Sequence, residues 1–293
     1  MQSIVSFYLR LRNTLYRTVS FWPLRRRWLS KKATLFLSDA QAGTAAYNLN
    51  KAFEAFFSPA IYADHKKYFS EIESLRRKLE NDDTVILRED FGAGLSTANY
   101  TSGKRTTVAR LCKGSSMPAA LARLLYFIII YTKPQKCLEF GTCLGISGAY
   151  IAKALQLNAN GSILTTIEGD KSSAEIAATA FSALQLNNTK IVAGRFREML
   201  PGILDSTGEI HFALIDGHHN GPATINYYLQ MKHKLGNNAI IVFDDIDWSG
   251  GMLDAWNKLK QLPELYICID TGRTGICVYS KNLLPKKHLF LPI

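Results

Sequence analysis

The sequence predicts an α/β protein: a doubly wound, mostly parallel sheet of seven strands with an antiparallel C-terminal hairpin and a helical N-terminal extension. Three observations carry this. From residue 137 onward, short β-rich runs alternate with helix-like stretches, which is the pattern of βαβ units and of a parallel sheet covered on both faces. The last two runs are joined only by "TGRTG", too short for a crossover, so they pair as a hairpin. Before residue 132 the pattern is mainly helical.

The elements follow in order. "YNLNKAFEAFF" opens a helical region over 45–82, broken at Ser58–Pro59 and resumed by "DHKKYFSEIESLRRKLEN" as far as Asn81–Asp82. A second helix over 116–131 ends before Lys133–Pro134. The seven strands are "KCLEF", "SILTTIE", "KIVAG", "HFALID", "AIIVFDD", "LYICID" and "GICVYS", with helices expected over 146–156, 172–186, 222–235 and 251–261. Three regions result: a basic arm over 1–44, a helical extension or cap over 45–131, and an α/β domain over 132–293.

The composition, 47% apolar and 20% charged over 293 residues, is that of a folded globular chain and excludes wholesale disorder. A net charge of +11 suggests nucleic acid until it is located. Arg10, Arg12, Arg17, Arg25, Arg26, Arg27, Lys31 and Lys32 all lie within 1–36, which holds no acid. Without those eight, 27 basic residues face 24 acidic ones, so a broad phosphate-tracking surface is not indicated. The arm "FYLRLRNTLYRTVSFWPLRRRWL" admits three readings: a helix packed on the domain or a partner, a basic segment lying peripherally on an anionic membrane, or a transit peptide without a recognisable cleavage site. "LLYFIII" (124–130), the longest apolar run, is too short to span a bilayer. Five cysteines, an odd count without a CxxC pair, argue against a disulfide framework and fit a reducing, cytoplasmic compartment. Cys268 and Cys277 are placed to face each other across the hairpin as thiols.

Two glycine turns compete for a ligand. "TVILREDFGAGLS" (84–96) reads as strand, acid and Gly-x-Gly, but no second strand ending in an acid follows, so it is a structural turn or a lid loop. "LEFGTCLGIS" (138–147) has what the first lacks: Glu139 lies in the first strand, and Glu168 closes the next, 29 residues on. A carboxylate at that strand end is a bidentate partner for two ribose hydroxyls. Gly141 and Gly145 are spaced G-x-x-x-G; the G-x-G-x-x-G of a dinucleotide site is absent, which points to a nucleoside without a pyrophosphate.

"CLEFGTCLGIS", "TTIEGD", "FALIDGHH" and "IIVFDDIDWSGGM", in this order and spacing, resemble class I S-adenosylmethionine-dependent methyltransferases, within them the catechol and caffeoyl-CoA O-methyltransferase-like group and its bacterial relatives. The resemblance covers about 137–280 and implies a Rossmann-like fold. It implies that Glu139, Gly141 and Gly145 line the methionine end of S-adenosylmethionine. It also implies that Ser147 bonds the amino-acid carboxylate at a helix N-terminus, that Glu168 takes the ribose and that Phe196 and Arg197 approach adenine, with Asp216 counted among the cofactor contacts.

Asp216 and the pair Asp244–Asp245 end the fourth and fifth strands. Converging carboxylates repel one another unless a cation sits between them, which makes all three candidate ligands of Mg²⁺. The relatives that use metal show Asp, then Asp-Asn; here Asp245 stands in place of the asparagine. Their catalytic lysine, three residues after the first aspartate, corresponds to His219, so His219 with Asp216 forms the expected catalytic pair. Ligation by His218 or His219, and helix capping by Asp244 and Asp245, are the competing readings. Trp248 either walls an acceptor pocket or packs in the core. The function expected is O-methylation of a small hydroxylated acceptor, metal-assisted or not. RNA or protein methylation, and a catalytically inactive membrane-associated scaffold, are the rivals. The sequence leaves a homodimer open.

Overall fold

Why the chain breaks where it does is visible at the first long helix. The Thr44 hydroxyl accepts from the Tyr47 N–H and starts α1 (Ala45–Phe57), and Ser58 leaves the helical region before Pro59 opens α2 (Pro59–Leu79). The computed structural model describes residues 29–32, 37, 40–89, 103–159 and 161–293. The arm to residue 28 and the glycines of the first turn lie outside the described residues. The described residues fall into two compact units, one within 59–208 and the other made of residues up to 58 together with 209–293.

In the 59–208 unit, α2 is followed by the antiparallel pair β1 (Val85–Arg88) and β2 (Lys104–Thr107). Thr107 then caps α3 (Val108–Ser115), a helix whose residues the sequence pattern did not set apart. The next helix, α4 (Ala119–Thr132), is apolar on nearly every side and is correspondingly a core helix, ending at Lys133 in the left-handed conformation. It packs on α5 (Ile146–Asn158), and Phe69 of α2 closes an aromatic cluster with Tyr126, Phe127 and Tyr150. Strands β3 (Lys136–Phe140), β4 (Ile163–Glu168) and β5 (Thr189–Ala193) run parallel, with α6 (Lys171–Ala183) and α7 (Phe196–Ser206) completing the βαβ units.

The other unit contains α1, β6 (Ile210–Ile215), α8 (Gly221–Met231), a 3₁₀ turn (Lys232–Lys234), β7 (Leu235–Phe243), α9 (Gly250–Leu259), β8 (Leu265–Asp270), β9 (Gly275–Tyr279) and β10 (Lys287–Phe290). Its strand order is β10-β8-β9-β7-β6. β6 and β7 are parallel, β9 is antiparallel to both its neighbours, and β10 is parallel to β8. The mostly parallel sheet therefore has eight strands, not the seven expected. "KHLF" lacks the β-branched run of a core strand and is ordered by its partner, in the register Lys287↔Ile267 to Phe290↔Asp270. The hairpin is as expected, with Cys268 opposite Cys277 and their sulfurs 3.6 Å apart as free thiols. No single helix among the described residues is long and apolar enough to cross a membrane.

Candidate active site

In the 59–208 unit, β3 leads into the turn 141–145. Gly141 (φ 99°), Cys143 (φ 48°) and Gly145 (φ 85°) all take left-handed backbone, and a Cβ on Gly145 would stand 3.0 Å from Phe181. The turn folds back on β4, with the N–H groups of Gly141 and Thr142 both donating to the Ile167 carbonyl. At the end of β4, Glu168 accepts from the Cys143 N–H (2.7 Å) and the Asp170 N–H (2.9 Å). Burial raises its carboxyl above the ordinary range, against the pull of those two donors. A carboxylate held so firmly still has lone pairs for two hydroxyls. Asp170 caps α6 and also accepts from the Glu89 N–H, which ties the end of β1 to this corner.

Glu139 is fully buried and accepts from the Ser147 hydroxyl (2.6 Å) and the Thr166 hydroxyl (2.7 Å). Desolvation pushes its carboxyl up to about 7, although both hydroxyls favour the charged form. The Ser147 hydroxyl, expected on a cofactor carboxylate, donates to Glu139 in this internal network. Phe196, at the start of α7, stacks edge-on against Phe140 at 5.5 Å, while Arg197 is exposed and 3.6 Å from Glu198.

In the other unit, the loops after β6 and β7 carry the second group of candidates. The Asp244 side chain is wholly buried: Arg273 lies on it (Nη2 to Oδ2, 2.8 Å) and the Thr274 hydroxyl donates to its other oxygen (2.6 Å). Arg273 Nε also lies 3.0 Å from Asp245 Oδ1. Burial opposes the guanidinium charge, but Asp244, Asp245 and Asp216 together raise its pKa above the usual arginine range. His219 Nδ1 lies 3.4 Å from Asp245 Oδ2, and the His219 ring faces Trp248 at 5.6 Å. Trp248 is 57% exposed, so it is not a core residue. His218 pairs with the Tyr227 hydroxyl at 2.9 Å. His218, His219 and Asp245 have φ of 67°, 37° and 51°, a concentration of left-handed, non-glycine backbone of the kind found at functional sites.

Residues 138–246 match the family model of a methyltransferase domain. The surrounding fold is one shared with solved methyltransferase structures. Among solved structures it resembles an O-methyltransferase from Bacillus cereus in complex with S-adenosylhomocysteine (TM-score 0.52, 16% identity, covering 73% of this chain and 91% of that one). It also resembles a methyltransferase from Podospora anserina bound to S-adenosylhomocysteine (0.50, 15%, 57% and 81%) and a methyltransferase from Geobacter sulfurreducens (0.50, 17%, 60% and 86%). At these identities the likeness is one of fold. No curated protein matches the chain in sequence.

The positive-φ glycine turn and Glu168 fit a nucleoside cofactor: a close backbone approach at Gly145 and an acid at the strand end. The fit to a divalent ion is poorer. Asp216, His219 and Asp245 each have a ligand atom within 4.8 Å of the others'. Asp244 does not join them, because Arg273 and Thr274 take both its oxygens, and Asp245 is shared between Arg273 and His219. The expected Mg²⁺ set was Asp216, Asp244 and Asp245; the ligand atoms that converge are those of Asp216, His219 and Asp245, with Asp244 held by Arg273 and Thr274. Arg273 was missed by sequence reasoning; an arginine in the hairpin turn that returns toward an acidic strand end was its only signal.

Proposed function

We propose that this methyltransferase transfers the methyl group of S-adenosylmethionine to a hydroxyl of a small acceptor, with His219 as the general base. One observation carries the reading: His219 stands between Asp245 and the exposed Trp248, so one ring nitrogen faces a carboxylate while the ring lies beside an apolar wall. Asp245 favours the tautomer with the proton on Nδ1 and leaves Nε2 free to accept a proton. A separation of 3.4 Å is long for this contact, as is common before a substrate tightens it. The bound cofactor supplies an electrophilic methyl on a sulfonium. His219 Nε2 takes the hydroxyl proton as the acceptor oxygen forms its bond to carbon, and the C–S electrons remain on sulfur. Trp248 offers a face for a planar, aromatic acceptor. Glu168 holds the ribose.

Calorimetry with S-adenosylhomocysteine and a methylation panel of phenols, catechols and sugar hydroxyls test this. Glu168→Ala is expected to weaken S-adenosylhomocysteine by roughly 10- to 100-fold through loss of charge-assisted hydrogen bonds. His219→Ala is expected to leave that affinity unchanged and slow turnover by roughly 10²- to 10⁴-fold. Full turnover in His219→Ala would remove the base, and failure to bind S-adenosylhomocysteine would remove the cofactor.

A further inference from the structure

We propose that Arg273 is the resident cation of the carboxylate cluster, making this chain a metal-independent methyltransferase in which Arg273 positions the base through Asp245. The inference rests on the methyl-transfer reading above and deepens it. Three carboxylates drawn together need a positive partner, and Arg273 supplies one from the β8–β9 turn. Its guanidinium contacts Asp244 at 2.8 Å and Asp245 at 3.0 Å. Thr274, the next residue, fixes the opposite oxygen of Asp244 at 2.6 Å. The backbone reinforces the arrangement: the Ile246 N–H donates to the Arg273 carbonyl, and the Asp244 N–H donates to Ile215 at the end of β6.

With one oxygen of Asp245 on Arg273 and the other toward His219, the carboxylate cannot rotate without losing a contact. The order Arg273–Asp245–His219 is thus a positioning relay. It aligns the histidine without a Lewis acid, so removal of the acceptor proton falls to His219 alone. A guanidinium suits this place better than an ammonium, because its planar fork meets two carboxylates at once.

Electron paramagnetic resonance of Mn²⁺ tests the proposal on the full chain, since the six-line signal of the free ion is lost when the ion is bound. Wild-type protein is expected to leave the signal undiminished at millimolar Mn²⁺. Arg273→Met, which removes the charge but keeps the bulk, is expected to bind one ion per chain, and adding Asp245→Asn to it is expected to abolish that binding. Arg273→Lys is expected to restore exclusion of the ion, which a merely space-filling role would not do. Stoichiometric Mn²⁺ binding by the wild type overturns the proposal whether or not any variant folds, and so does a folded Arg273→Met that binds none. S-adenosylhomocysteine calorimetry on the same preparations separates the two readings: loss of that binding in the wild type tells against the methyl-transfer function, whereas the Mn²⁺ signal speaks only to the cation.

Discussion

Glu139 is a carboxyl enclosed by protein, with two hydroxyls as its donors, and this gives it a measurable pH signature. Its pKa is raised from 4.5 to about 7 chiefly by burial. The neutral form is therefore favoured on folding; the associated stability is fully present below pH 4.5 and is lost as pH rises through about 7. Glu139→Gln, which keeps the shape without the charge, is expected to gain roughly 2–3 kcal/mol on the wild type between pH 5 and pH 8. Urea unfolding of both proteins at the two pH values measures this, and parallel curves would show that the carboxyl does not titrate in that interval. Legibility at this scale divides sharply. Glu168 could be found from sequence because its place depends on local spacing, an acid ending the second strand after a glycine turn. Arg273 could not, because its partner Asp245 is 28 positions away and is chosen by strand pairing rather than by periodicity. For a related reason the donor role of the Ser147 hydroxyl is visible in sequence, but its hydrogen bond to Glu139 is not.

Among the elements, α8 and α9 meet backbone to backbone. A Cβ on Gly221 would overlap the Gly251 carbonyl and press on Ala255. The starts of the two helices directly follow the loops that carry His219 and Asp245, so this contact sets how those loops approach. Gly221→Ala is expected to cost about 3 kcal/mol, with helix displacement as the relief, and to lower turnover along with stability. Thermal unfolding and an acceptor assay measure both; an unchanged melting temperature would show that the helices separate at little cost. The long elements were legible because each repeats its own pattern, apolar runs for β6 and β7 and amphipathic turns for α2. β10 was not, since a short edge strand is formed by its neighbour β8, and α3 was hidden behind the Gly-Lys-Arg segment before it.

For the whole chain, the charge is the unusual property. Six arginines and no acid lie within 1–28, whereas Leu29 is buried and Lys32 donates to the Phe290 carbonyl at 2.7 Å. Truncation before Leu29 therefore spares those contacts. It is expected to leave S-adenosylhomocysteine affinity unchanged and to reduce binding to phosphatidylserine vesicles strongly, each basic residue near such a surface contributing about 1 kcal/mol. Equal sedimentation of both proteins with the vesicles would remove the membrane reading. Composition located this charge at once, but its purpose is not written in spacing, because binding to a charged surface requires no fixed geometry.

The left-handed backbone at His218, His219 and Asp245, tied down through Ile215 and Arg273, has a consequence for selectivity. Loops held in such conformations gave up their freedom when the chain folded, so an arriving acceptor bears little of that entropic cost. The same rigidity denies the loops the means to reshape around a poorly fitting molecule. A narrow acceptor range, with bulky analogues excluded rather than accommodated, is the expected result.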